Sequence, residues 1–131
     1  MTPFDELADP GVVERVIRDL YAAMFDDPMV GFLFVGSDKE RIVTEQTKLV
    51  RRVLGDDSVV YDGESMPDAH RRVPILPGHF DRRHQLLLTA LAAHPLPERA
   101  RARWIAMDLA LRDAILKAGR VRIDELRRVS P

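Results

Sequence analysis

The sequence contains no cysteine. This absence excludes disulfides, thiolate metal sites, thiol nucleophiles and cofactors attached through cysteine. A chain without cysteine suits a reducing compartment, and we expect a cytoplasmic location. Residues 1–6 lack a basic segment followed by an apolar run, and no stretch approaches the roughly 20 apolar residues that span a bilayer. We therefore expect no contact with a membrane.

A strong charge of either sign is also missing. The chain has 20 Lys and Arg against 21 Asp and Glu, a net charge of -1, so no global field attracts nucleic acid. Hydrophobic residues make up 46% and charged residues 31%, the balance of a soluble globular protein. The length of 131 residues suits one domain and is too short for two, so we expect a single domain over residues 1–131.

The motifs of several enzyme classes are absent from the sequence. It has no Gly-x-Ser-x-Gly, no glycine loop that binds phosphate and no dinucleotide fingerprint. His79 and His84 are five residues apart, a spacing that points them in different directions on a helix and makes them a poor metal-chelating pair. Hydrolase, kinase and zinc chemistry are therefore not indicated.

The hydrophobic pattern predicts helices throughout, and an all-α fold. The first helix begins after Asp9-Pro10-Gly11 and ends at residues 26–28. The second begins at a capping box formed by Ser37 and Glu40 and ends at Gly55. Its inward face comprises Ile42, Val43, Gln46, Leu49, Val50, Val53 and Leu54.

The C-terminal half predicts two more helices. One runs from Gly78 to His94, with Phe80, Leu87, Leu88 and Leu91 on its apolar face. The next runs from Pro97 to Gly119 and carries Trp104, Ile105, Leu109, Ile115 and Leu116. Residues 120–131 form either a short helix or a tail.

Two polar residues interrupt the apolar faces of the first two helices. Burying an unpaired amide or hydroxyl costs about 1–3 kcal/mol, so Tyr21 and Gln46 need an explanation. If these helices cross, both side chains can point into one apolar space and donate hydrogen bonds to a small ligand. The alternative is that the Tyr21 hydroxyl lies in water and that Gln46 caps a neighbouring carbonyl.

One histidine lies in a segment that prolines keep from forming a long helix. His70 occurs in the stretch MPDAHRRVPILPGHF, residues 66–80. A lone histidine on a short helical turn is most often an exposed residue or a cap, so the local sequence alone does not assign it a ligand.

The order of these features resembles the truncated haemoglobins, the small bacterial globins. The similarity runs from Phe4 to Leu91 and includes Leu20-Tyr21, the corner DDPMVGFLF, Gln46, and YDGESMPDAH followed by HFDRR. The resemblance implies a truncated globin fold, a sandwich of two helices over two. It also implies haem b, bound through His70 as the proximal iron ligand while the porphyrin supplies four further ligands.

The resemblance also implies the rest of the haem site. Tyr21, Gln46 and Ile42 correspond to distal residues around the gaseous ligand, and Phe34 to a phenylalanine that stacks on the haem. His79 corresponds to a structural histidine. The remaining expected pocket residues are Leu49, Tyr61, Met66 and Phe80.

The function that follows from this resemblance is the binding or transport of oxygen and other diatomic gases. Oxygen gains negative charge when haem binds it, and two uncharged donors stabilise that charge in a dry pocket. Such proteins can also oxidise nitric oxide to nitrate when a reductase is available. The expected partners are oxygen or nitric oxide and an unknown reductase, and the expected state is a monomer or weak dimer.

Two positions depart from the family pattern. Ala8-Asp9 replaces a pair of glycines, and Arg83 stands where several groups have tryptophan. If Arg83 faces the haem cavity, it must pair with a propionate or a distal ligand, since an unpaired buried guanidinium is too costly; otherwise it turns to solvent.

Two other interpretations remain open. In the first, the protein has a globin fold without haem and acts through protein partners, with His70 turned outward and the pocket filled by Phe32, Phe34 and Met66. In the second, it is a helical dimerisation module that uses the face around Trp104.

Overall fold

The computed structural model describes residues 1–60 and 75–129, with side chains up to residue 117. These residues contain four α-helices and no strand. The helices are α1 (Val12–Asp26), α2 (Lys39–Leu54), α3 (Pro77–Ala92) and α4 (Glu98–Val129), and a short 3-10 helix (Gly31–Phe34) lies between α1 and α2. The all-α prediction is confirmed.

The helices form two pairs that contact each other. Helix α1 packs on α2, and α3 on α4, while α1 also contacts α3 and α2 contacts α4. The core centres on α1, whose apolar spacing of three and four residues places one face inward. Its buried residues are Val12, Val13, Val16, Ile17, Leu20, Tyr21 and Met24.

Trp104 belongs to this core. Its side chain is only 1% exposed and packs in the same apolar cluster as α1. The interpretation of the Trp104 face as a dimerisation surface is therefore wrong, because the indole is already covered by the chain's own helices.

The C-terminal end of α2 agrees with the prediction, whereas its start does not. Gly55 ends the helix as expected: its φ of 108° is left-handed, and its N–H donates to the carbonyls of Arg51 and Arg52. The start is one residue later than expected, because the cap is Asp38, whose carboxylate accepts the Arg41 N–H at 3.2 Å.

The predicted capping box of Ser37 and Glu40 is wrong for a clear reason. The backbone N–H of Ser37 donates to the Phe34 carbonyl at 2.9 Å, so Ser37 belongs to the turn that follows the 3-10 helix. The Glu40 carboxylate accepts instead from Arg18 of α1, with an N–O distance of 2.8 Å.

Helix α4 is longer than predicted. It continues through Gly119 to Val129, so the predicted end at Gly119 is wrong and residues 120–129 are helical. A single glycine inside a helix costs only about 1 kcal/mol, which does not by itself end one. Among the described residues, no helix combines the length and the apolar character that crossing a membrane requires.

Two leucines predicted to face inward do not. Leu88 of α3 is 40% exposed and Leu109 of α4 is 49% exposed. Their neighbours on the same helices, Phe80, Leu87, Leu91, Ile115 and Leu116, are buried as expected.

Candidate ligand-binding cavity

A cavity of about 260 Å³ lies where the four helices and the 3-10 helix meet. This volume is slightly below the range of about 300–1,000 Å³ that is typical of small-molecule sites. Its wall is mainly apolar, with residues Met24, Val30, Leu33, Phe34, Ile42, Ile75, Phe80, Met107, Leu111 and Ile115. Among the described residues, the polar side chains on the wall are those of Tyr21, Ser37, Gln46, His79, Arg83 and Asp108.

The two polar residues singled out in the helix faces both lie on this wall. Tyr21 comes from α1 and is 5% exposed, and Gln46 comes from α2 and is half-buried. The packing of α1 on α2 therefore brings the phenol and the amide to one cavity, and Tyr21 is part of the core instead of a residue at its edge.

Aromatic packing holds the Tyr21 ring. Phe34 meets it edge to face, with ring centroids 6.0 Å apart and an interplanar angle of 89°. Phe34 in turn stacks on Phe25, with centroids 4.8 Å apart. Because these rings are linked, the 3-10 helix that carries Phe34 helps to hold the Tyr21 ring in place.

The other expected pocket residues fall into three groups. Ile42, Phe34 and Phe80 line the cavity. Leu49 is half-buried on α2 and is not among the lining residues that the structure describes. The positions of His70, Tyr61 and Met66 lie outside the described residues, so their assignment stays a prediction.

Arg83 faces the cavity and pairs with a residue that the sequence analysis missed. Its Nη1 donates to Oδ1 of Asp108, a residue of α4 that is 2% exposed. The Arg83 side chain is 21% exposed. This internal ion pair shows that Arg83 does not turn to solvent, while its expected pairing with a propionate or a distal ligand stays a prediction.

The second oxygen of Asp108 also has a partner. Nδ1 of His84 lies 2.8 Å from Oδ2, and a carboxylate that is ionised can only accept, so His84 donates. Both oxygens of this buried carboxylate thus receive hydrogen bonds from α3, which is how a buried acid is normally tolerated.

Arg83 keeps its positive charge in this environment. Burial alone would lower the pKa of the guanidinium, but its interactions with Tyr21 and with Asp108 outweigh burial and raise that pKa above the usual value. The guanidinium carbon also lies 5.9 Å from the centre of the Phe80 ring, a favourable cation–π distance. The cavity wall therefore carries a permanent cation.

His79 has a structural contact at the start of α3. Its Nδ1 accepts the Leu76 N–H at 3.1 Å, satisfying one of the free donors of the first turn. The His79 ring also meets Phe32 at a centroid distance of 5.5 Å.

Phe32 does not fill the cavity. It is 59% exposed and is absent from the described lining residues, whereas Phe34 forms part of the wall and leaves the space open. The interpretation that Phe32 blocks the pocket is wrong, because the 3-10 helix directs Phe32 outward.

These features define the class of the protein: in the described residues, two packed pairs of helices surround an apolar cavity with polar side chains on its wall. No protein-family model and no curated protein matches the sequence. Solved structures do match. The truncated haemoglobin of Tetrahymena pyriformis, a mutant in the Fe(III) form, is 20% identical, with 88% of this chain and 98% of that chain covered and a TM-score of 0.77.

Two bacterial structures are similar to the same extent. The 2/2 haemoglobin of Synechococcus, in the cyanomet state with covalently attached haem, is 18% identical, with 89% and 99% of the two chains covered and a TM-score of 0.79. The haemoglobin of Chloroflexus aurantiacus is 21% identical, with 88% and 98% covered and a TM-score of 0.75. The chain therefore has the two-over-two fold of the truncated haemoglobins, which confirms the predicted fold.

Proposed function

We propose that the protein binds haem b in this cavity through His70 and holds oxygen or another diatomic gas beside Tyr21, Gln46 and Ile42. One observation carries the proposal: within a truncated-haemoglobin fold, a phenol from α1 and an amide from α2 line the same apolar cavity. Solved proteins of this fold support it, since the Synechococcus protein carries haem and the Tetrahymena protein is an Fe(III) form.

The chemistry of the wall fits such a group. Haem is a flat and largely apolar macrocycle, and the rings of Phe34 and Phe80 together with Ile42 provide apolar surface of the matching kind. When bound, haem supplies an iron that takes up diatomic gases. The protein supplies the surrounding donors and the exclusion of water.

Tyr21 and Gln46 would act as hydrogen-bond donors to the ligand. A neutral hydrogen bond contributes about 1–1.5 kcal/mol, so two donors slow ligand release by roughly one to two orders of magnitude relative to an apolar pocket. Because the Tyr21 side chain is almost completely buried, water competes little for its hydroxyl.

A further activity of this site is the conversion of nitric oxide to nitrate. Nitric oxide, dioxygen and one electron together give nitrate, so each turnover needs an electron from outside the protein. The proposal therefore includes a separate reductase as partner, with the cytoplasm as the location and a monomer or weak dimer as the working state.

Hemin titration tests the haem proposal. The purified protein is expected to develop a sharp Soret band that saturates at one hemin per chain, and His70→Ala is expected to lose or shift this band. His94→Ala is the control, since His94 pairs with Asp19, 2.7 Å away, and does not line the cavity.

Each result decides one part of the proposal. An unchanged spectrum in His70→Ala would remove His70 from the iron. A wild-type protein without a Soret band would contradict haem binding itself and would favour the haem-free interpretation.

A further inference from the structure

Tyr21 of α1 and Arg83 of α3 line the same cavity. A phenol can both donate and accept a hydrogen bond, whereas a guanidinium can only donate.

The Arg83 guanidinium has more donors than its contact with Asp108 uses. A guanidinium has five N–H groups, and one nitrogen, Nη1, serves Asp108. Asp108 is fixed in turn by His84, so the arginine is held at the wall by a carboxylate that is itself fully hydrogen-bonded. Side chains held in this way lose little further freedom when a ligand arrives.

We propose that Arg83, held at the cavity wall by Asp108, makes this cavity select small anions over neutral ligands. The proposal rests on the function proposed above, because the anion and the diatomic gas would bind in the same haem-loaded cavity. It changes the expected character of the site, since Tyr21 and Gln46 alone would form a pocket of uncharged donors.

The physical basis is the strength of hydrogen bonds between charged groups. Such bonds are roughly twice as strong as neutral ones, and they are stronger still in a site that excludes water. Asp108 balances the charge of Arg83 at long range, so the preference acts only at hydrogen-bonding distance. We therefore expect the affinity for anions to depend weakly on salt concentration.

Two variants remove the cation in different ways. Arg83→Gln removes the charge but keeps an amide N–H for Asp108. The double variant Arg83→Met with Asp108→Leu replaces both members of the buried pair with apolar groups, and proteins often tolerate this change. Arg112→Met is the matched control: Arg112 pairs with Asp81 across the same two helices but does not line the cavity.

The measurements compare a charged probe with a neutral one. Azide is titrated into the hemin-loaded ferric protein and followed by the Soret band, and carbon monoxide is titrated into the ferrous protein. Both cavity variants are expected to lose roughly tenfold or more in azide affinity. Carbon monoxide affinity is expected to change less than about threefold, and Arg112→Met to resemble the wild type for both probes.

Unchanged azide affinity in either folded variant would overturn the inference, as would equal losses for both probes, which would indicate a generally altered cavity. Normal hemin binding in these cases leaves the proposed function intact. If the wild type takes up no hemin, both proposals fail. Thermal unfolding of the haem-free variants identifies which of them are folded. Only the azide and carbon monoxide affinities of a folded variant are used to judge the inference.

Discussion

Asp27, directly after α1, and Arg82 of α3 form an ion pair in which Nε and Nη2 of the arginine both lie 2.8 Å from one carboxylate oxygen. The other oxygen accepts the N–H groups of Met29 at 2.8 Å and Val30 at 3.3 Å. The Asp27 side chain is 3% exposed. One carboxylate therefore connects the corner after α1 to α3.

The Asp27 carboxylate should make stability depend on pH. Hydrogen bonding from Arg82 lowers the pKa of Asp27 against the opposing effect of burial, and the N–H groups of Met29 and Val30 lower it further. A lowered folded-state pKa gives stability that is complete above the unfolded value of about 4 and is lost as the pH falls through the folded value.

Asp27→Asn should therefore lower the Tm at neutral pH and reduce its dependence on pH below about 4. Thermal unfolding between pH 2 and 7 measures both effects. The exposed neighbour provides the control, Asp26→Asn, which should follow the wild type. A Tm deficit of Asp27→Asn that is the same at every pH would contradict the role of its charge.

Tyr21→Phe tests the donor role of the phenol in the haem-loaded protein. The substitution keeps the ring that packs against Phe34 and removes only the hydroxyl. Loss of one hydrogen bond of about 1–1.5 kcal/mol predicts oxygen release that is about five- to tenfold faster. Stopped-flow measurement of oxygen dissociation checks this, and an unaltered rate would show that the hydroxyl does not contact the ligand.

Gly55→Ala should destabilise the protein. The residue has a φ of 108°, and an added Cβ would lie 2.5 Å from Cβ of Thr2. Backbone strain alone predicts a loss of about 1–2 kcal/mol in the free energy of unfolding, measured with urea. Gly78→Ala is the control, since nothing lies within 4 Å of its added Cβ, and it should be neutral or slightly stabilising.

Two apolar residues of α4 should differ greatly in their contribution to stability. Trp104→Ala removes a side chain that is 1% exposed and should cost about 3–5 kcal/mol. Leu109→Ala removes one that is 49% exposed and should change stability by less than about 0.5 kcal/mol. Similar losses for the two variants would mean that the Leu109 face is covered in solution.

The sequence predicted most of the fold because its helices have strong apolar periodicity and clear ends. The left-handed Gly55 is such an end. The predicted cap at Ser37 failed because the preceding 3-10 turn uses its N–H, and the predicted stop at Gly119 failed because one glycine only weakens a helix. The start of α2 and the end of α4 both depend on the surrounding structure as well as on the local sequence.

The sequence could predict those residues of the cavity wall that stand out from their neighbours along the chain. Tyr21 and Gln46 interrupt apolar faces, a pattern visible without coordinates. The pairing of Arg83 with Asp108 joins residues 25 positions apart and depends on how α3 packs on α4. A signal did exist, because Asp108 lies on α4 between Trp104 and Leu111, on a face that is otherwise apolar.

Asp108 receives hydrogen bonds from two consecutive residues of α3. Successive side chains on an α-helix diverge by about 100°, so a carboxylate that reaches both must sit in the angle between them. This carboxylate therefore fixes the rotation of α3 about its own axis, because turning the helix in either direction would pull one of the two side chains away. The direction in which the Arg83 guanidinium points is thus set by the orientation of the whole of α3 and not by the side-chain rotamer alone.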